Sequence, residues 1–184
     1  AYEKTNVKCD ELPRPRHFEA SFGMPNPPAD KISTSEPLEL VLHDERVKIT
    51  GRIDRIDVGM SAGRAVFTIV DYKTGSSAGY SKSHVISGQA LQLTLYAMAT
   101  ERLLLRGDGA VPWQFGYWFV ADSGFKKTLL LHEVDSGDLK PTGDWTELRE
   151  RIVERVVSLV RGIRRGEFPM YNEDEDCTSR CDFR

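Results

Sequence analysis

The sequence predicts one α/β (α+β) domain built on a mixed β-sheet, and three observations carry that expectation. Segments rich in β-branched and aromatic residues alternate with two helical stretches, in the order strands, helix, strands, helix. The 184 residues are 40% hydrophobic and 29% charged, the size and balance of one globular domain with a sizeable core. No apolar run approaches the ~18–20 residues that a membrane-spanning helix requires.

The elements follow in order. The stretch to Asp30 is polar and carries Pro13, Pro15, Pro25, Pro27 and Pro28. Within it, His17 to Phe22 reads as a short edge strand, because proline cannot donate to a central ladder. Leu38 to Leu42 and Val47 to Val58 alternate as an antiparallel ribbon turning at His43-Asp44-Glu45, and Gly59 to Gly63 supplies the next turn. Ala65 to Lys73 (AVFTIVDYK) is the clearest strand, stopped by Thr74-Gly75.

A Gly/Ser-rich loop over 75–83 leads into a helix from Val85 to Leu105. Its apolar residues (Leu91, Leu93, Leu95, Met98, Leu103 and Leu104) cover much of its circumference, so burial is expected. Trp113 to Ala121 and Lys127 to Val134 read as two more strands. Asp144-Trp145-Thr146-Glu147 has the form of a capping box. Trp145, Leu148, Ile152, Val156, Leu159 and Ile163 then mark one face of a helix ending near Gly166. The core is expected over about 16–168, with 169–184 as a tail, all within a single domain of a longer protein.

Charge and cysteines bound the function. With 25 Lys+Arg against 28 Asp+Glu the net charge is −3, which by itself favours no nucleic-acid surface. Net charge describes the whole surface, however, and does not exclude a locally positive path. Three cysteines cannot form a disulfide scaffold, and a reducing cytoplasm is the expected compartment. Cys9 stands alone, while Cys177 and Cys181 are separated by three residues, close to metal-binding spacing.

Three segments carry chemistry: Gly51-Arg52-Ile53-Asp54-Arg55-Ile56-Asp57, Asp71-Tyr72-Lys73-Thr74-Gly75, and Gln92-Leu93-Thr94-Leu95-Tyr96. Asp71 and Lys73 lie two apart on one strand and share a face with Phe67 and Ile69. An acid and an amine at the mouth of an apolar face are costly unless something uses them. Asp54 ends a segment expected to pair beside this strand, and two converging carboxylates call for a cation, with Mg²⁺ the natural candidate. Lys73 beside that ion could orient a water or stabilise charge on a phosphate. Gln92 and Tyr96, four apart on a helix, share a face and need polar partners, with Gln89 on nearly the same stripe.

Together these segments resemble the RecB-like branch of the PD-(D/E)xK nuclease superfamily: Gly-x-x-Asp as Gly51 to Asp54, Asp-x-Lys as Asp71 to Lys73, and Gln-x-x-x-Tyr as Gln92 to Tyr96. GRIDRID, VDYKTG and GQALQLTLYA are most similar to the C-terminal nuclease domain of AddB-like helicase-nuclease subunits. The resemblance implies a restriction-endonuclease-like sheet flanked by helices. It implies Asp54 and Asp71 as ligands of Mg²⁺ or Mn²⁺, the Tyr72 backbone carbonyl as a third, and Lys73 as the catalytic lysine. Gln92 and Tyr96 become the supporting pair at the scissile phosphate or DNA backbone. Two further family features are implied: a helix with a His or Glu before the sheet, and a 4Fe-4S cluster held by one leading and three trailing cysteines. Cys177 and Cys181 resemble the start of the trailing group, with a gap of three residues where the family has two. The His/Glu helix has no counterpart in the sequence, since His17 and Glu19 fall in an expected strand.

The resemblance implies a metal-dependent DNA exonuclease that receives single strands from a helicase domain or subunit during double-strand-break repair. A nuclease-like module without activity, guiding DNA or docking a subunit, is the alternative, and a restriction-type endonuclease acting alone is a third reading. Arg55 and Asp57 are expected to form a solvated or structural pair rather than a second metal site. Trp113, Phe115, Tyr117, Trp118 and Phe119 are expected in the sheet core. Lys82, Lys126, Lys127, Arg161, Arg164 and Arg165 are read as solvated charge, as is the acidic run Glu173 to Asp176.

Overall fold

The computed structural model describes residues 9–27, 30–75, 83, 85, 91–121 and 124–168. Nine strands and two principal helices account for most of them. A five-stranded sheet has the spatial order β1-β4-β5-β6-β7, from β1 (Glu11–Phe22), β4 (Gly51–Ser61), β5 (Arg64–Lys73), β6 (Val111–Phe119) and β7 (Gly124–Leu130). Only β5 and β6 run parallel, which makes the sheet mixed as expected. Parallel neighbours need a crossover. The segment between them contains α1 (Gln92–Ala99), which continues as a π-helical turn over Thr100–Leu104 and a 3₁₀ turn over Arg106–Asp108.

The expected edge strand is an edge strand, but it begins six residues earlier, at Glu11, and takes in Pro13 and Pro15. It accommodates them through register shifts between Glu11 and Arg14 and between Pro15 and His17. The ribbon is shorter than the alternation implied. β2 (Leu38–Leu42) pairs with β3 (Glu45–Ile49) as a separate two-stranded sheet, with His43 at positive φ in the turn. Val47 to Val58 is therefore two strands: Thr50 separates β3 from β4, and β4 joins the large sheet instead. The turn expected over Gly59 to Gly63 contracts to Ala62-Gly63, both at positive φ, because β4 continues to Ser61. Lys127 to Val134 is likewise divided. β7 ends at Leu130, and β8 (His132–Asp135) forms a hairpin with β9 (Asp138–Pro141), a strand the sequence did not reveal. Leu131 ties the junction, donating its N–H to the Trp113 carbonyl at 2.8 Å.

The main core lies between one sheet face, the helices and the β2–β3 ribbon. Ile56, Phe67, Ile69 and Phe115 from the sheet meet Leu93, Ala97 and Met98 of α1 and Trp145, Leu148 and Ile152 of α2 (Gly143–Arg164). A smaller cluster of Val66, Val111, Trp113 and Leu139 occupies part of the other face. The cap of α2 is Thr142, two residues ahead of the capping box read at Asp144. Its hydroxyl accepts from the Trp145 N–H at 3.2 Å and donates to the Leu130 carbonyl at 3.0 Å. The apolar face of α2 also turns in its second half, where Val157 is buried while Leu159 and Ile163 are 45% and 58% exposed. The side chains of Arg161 and Arg164 there are exposed, as expected of solvated charge, and pair with Glu45 on β3. Phe115, Tyr117 and Phe119 are buried in the main core and Trp113 in the smaller cluster, as expected; Trp118 is half-buried.

Candidate active site

The strand register creates the site. Arg55 lies opposite Val70 and Ile56 opposite Ile69 at the end of the β4–β5 ladder, and Asp54 and Asp71 are the next residue of each strand beyond that last pair. Alternation sends Asp71 and Lys73 to the same face as Phe67 and Ile69, which are fully buried beneath them. Along β4, Ile53 and Ile56 both enter the main core although they are three residues apart. The strict alternation therefore breaks between them, at Asp54. The second carboxylate is held there by the neighbouring strand: the Tyr72 N–H donates to Asp54 Oδ2 at 2.9 Å.

Asp71 is 3% exposed. Lys73 Nζ stands 2.5 Å from its Oδ2 and 5.5 Å from the centre of the Tyr117 ring. Burial raises the Asp71 pKa and the charge of Asp54 adds to that, while the ion pair with Lys73 works in the opposite direction without cancelling it. Two acids and one amine thus converge where the carboxylate charge is poorly compensated by the protein alone.

Gln92 and Tyr96 meet as their spacing predicts, with Gln92 Nε2 donating to the Tyr96 hydroxyl at 3.0 Å. Burial raises the Tyr96 pKa, and the nearby charges of Asp71 and Asp54 push the same way. The phenol is therefore a neutral O–H beside the acids, with its oxygen already accepting from Gln92. The glycine of the first motif also has a steric reason. A Cβ on Gly51 would lie 2.9 Å from Phe22 Cζ and 3.0 Å from Tyr96 Cε1, and Phe22 itself packs edge-on against Tyr96. Only glycine lets β4 pass this close to the ring.

Other candidates do not join the site. His17 Nδ1 is 3.1 Å from Asp30 Oδ1, and Glu19 pairs with Arg52 on the surface. The free thiol of Cys9 is half-buried, and burial, with Asp10 adding to it, pushes its pKa up to about 11. Cys177, Cys181, Gln89, Lys82 and the acidic run Glu173 to Asp176 lie outside the described residues. Arg55 and Asp57 form a pair, as expected, but a buried one: Asp57 is fully buried and Arg55 8% exposed. The sequence offered no sign of that burial, since an Arg-x-Asp on a strand reads equally as surface charge.

Among the described residues no group of three His, Cys, Asp or Glu side chains converges to hold a metal ion. The oxygen donors there are the carboxylates of Asp54 and Asp71. That hard-oxygen set, with an incompletely compensated buried acid, fits Mg²⁺ or Mn²⁺, since Mg²⁺ binds through one or two carboxylates and keeps several waters.

The chain belongs to the PD-(D/E)XK nuclease superfamily, whose family model matches residues 2–184. Its relatives include bacterial helicase–nuclease subunits. It is 40% identical over 72 residues to an ATP-dependent helicase/deoxyribonuclease subunit of Carboxydothermus hydrogenoformans, covering 39% of this chain and 6% of that protein. It is 31% identical over 119 residues to the protein of the same name from Clostridium botulinum (strain Hall), covering 63% and 10%. It is 34% identical over 105 residues to that of Clostridium novyi, covering 55% and 9%. The chain thus spans only 6–10% of the length of these relatives. Among the described residues no helix is long and apolar enough to cross a membrane.

Proposed function

We propose that this domain is a metal-dependent DNA nuclease that hydrolyses phosphodiester bonds. The observation that carries the reading is the convergence of Asp54, Asp71 and Lys73 at one end of the sheet, with Asp71 buried beside a second carboxylate. Asp54, Asp71 and the Tyr72 carbonyl would hold Mg²⁺ or Mn²⁺. When bound, such an ion supplies a more acidic water and offsets negative charge on the phosphate.

The chain's own groups do the rest. Lys73 holds its ammonium over Tyr117, aimed at Asp71, where it orients a water or neutralises charge building on a phosphate oxygen. Tyr96, fixed by Gln92, presents a neutral O–H to the same space and positions the DNA backbone. The names of the relatives support a place for the domain in a larger helicase–nuclease. There it acts as an exonuclease on single strands delivered by a helicase domain or subunit in double-strand-break repair, within the cytoplasm. A 4Fe-4S cluster through Cys177 and Cys181 belongs to that larger protein.

The absence of a third acidic or histidine ligand among the described residues favours a second reading, an inactive module that guides DNA or docks a subunit. Calorimetry with Mn²⁺ separates the two. The nuclease reading expects binding that Asp71→Ala removes; no binding at millimolar metal supports the module.

A further inference from the structure

The sheet face opposite the acids carries a network that the proposed chemistry does not use. Arg55 Nε and Nη2 donate to the two carboxylate oxygens of Asp57 at 2.6 and 2.7 Å, and Arg55 Nη1 donates to the Tyr72 hydroxyl at 3.2 Å. The guanidinium lies 5.3 Å from the centre of the Trp118 ring, and the Tyr72 and Trp118 rings stand 6.4 Å apart. Arg55 therefore crosses from β4 to β5 while its plane and fork are both occupied.

Its place in the chain gives this network a consequence at the site. Arg55 directly follows Asp54 on β4, and Tyr72 directly follows Asp71 on β5. The two strands are thus joined at Tyr72 by two side-chain ties. One runs from Arg55 to the Tyr72 hydroxyl; the other runs from the Tyr72 N–H to Asp54. A buried ion pair of this kind is a poor source of stability, because apolar side chains of similar volume serve a core as well or better. Tyr72 is also 40% exposed, so its ring adds little core burial. What the arrangement does fix is the orientation of the Tyr72 peptide against Asp54.

We propose that Arg55 is a positioning residue: held by Asp57 and Trp118, it anchors Tyr72 from behind and so sets the geometry between the Asp54 carboxylate and the Tyr72 main chain. The proposal rests on the reading that these groups and Asp71 hold a divalent cation. Loosening the anchor lets the Tyr72 peptide rotate, weakening the N–H bond to Asp54 and the spacing of the oxygen donors together. Outer partners of metal ligands typically affect affinity by about 10–100-fold.

The test uses Tyr72→Phe, which removes one hydroxyl and keeps the ring, beside Arg55→Lys, which keeps the charge and loses the fork. Three quantities are read on the whole chain: Mn²⁺ affinity by calorimetry, hydrogen exchange of the residue-72 amide, and the melting midpoint. Tyr72→Phe is expected to keep a near wild-type midpoint while its residue-72 amide exchanges faster and Mn²⁺ binding weakens about tenfold. Arg55→Lys is expected to move both readouts further in the same direction. Wild-type Mn²⁺ affinity and amide exchange in Tyr72→Phe would overturn the proposal while leaving the metal site standing. A wild-type chain that binds no Mn²⁺ overturns the metal reading and this proposal with it.

Discussion

Asp54 and Tyr72 are joined across two strands by a 2.9 Å hydrogen bond from main chain to carboxylate. One acid of the pair is therefore oriented by the strand that carries the other. The orientation of the Asp54 carboxylate thus depends on the backbone of β5.

Asp71 should destabilise the fold it sits in. Its pKa is raised, chiefly by burial, so the folded state favours the protonated form. The stability linked to this group is then fully present below the ordinary carboxylate pKa of 3.8 and is lost as pH rises through the raised value. Asp71→Asn is expected to raise the melting midpoint at pH 7 in the absence of metal. That gain should shrink toward zero below about pH 4. Thermal unfolding of both proteins across pH measures it.

Lys73→Ala should separate binding from chemistry. The ammonium 2.5 Å from Asp71 Oδ2 competes with any cation for that oxygen. Its removal is expected to leave Mn²⁺ affinity unchanged or higher, while DNA cleavage falls by about a hundredfold or more. Calorimetry and a cleavage assay on the same preparation check the opposite signs.

Gly51→Ala should act through Tyr96. The added Cβ meets Phe22 and Tyr96 at 2.9 and 3.0 Å, inside normal contact distance. Both rings are large and packed on each other, so overpacking is expected to cost about 1–3 kcal/mol and to displace the phenol from its bond with Gln92. Denaturant unfolding gives the cost, and the ultraviolet spectrum of the Tyr96 phenol during alkaline titration reports the displacement.

The central strands were legible because their patterns are local. Ala65 to Lys73 is β-branched and aromatic almost throughout, which marks a strand, and the two-residue spacing of Asp71 and Lys73 then puts both on one face. Likewise, Gln92 and Tyr96 needed only helical spacing to meet. The features that escaped depend on contacts between distant residues. The break at Thr50 sends β4 to a different sheet in the middle of an unbroken alternating pattern. The cap at Thr142 is secured by the carbonyl of Leu130, twelve residues away. Burial of Arg55 and Asp57 depends on Tyr72 and Trp118 from two other strands. Nothing in the local sequence distinguishes such a pair from surface charge.

The most direct measurement of the central claim is degradation of single-stranded DNA by the purified chain with Mg²⁺ or Mn²⁺, compared with Asp71→Ala and Lys73→Ala. Cleavage by the wild type that requires the metal and falls by about a hundredfold or more in both variants is the predicted result. Equal cleavage by all three proteins, or none by the wild type under conditions where it binds Mn²⁺, would contradict it.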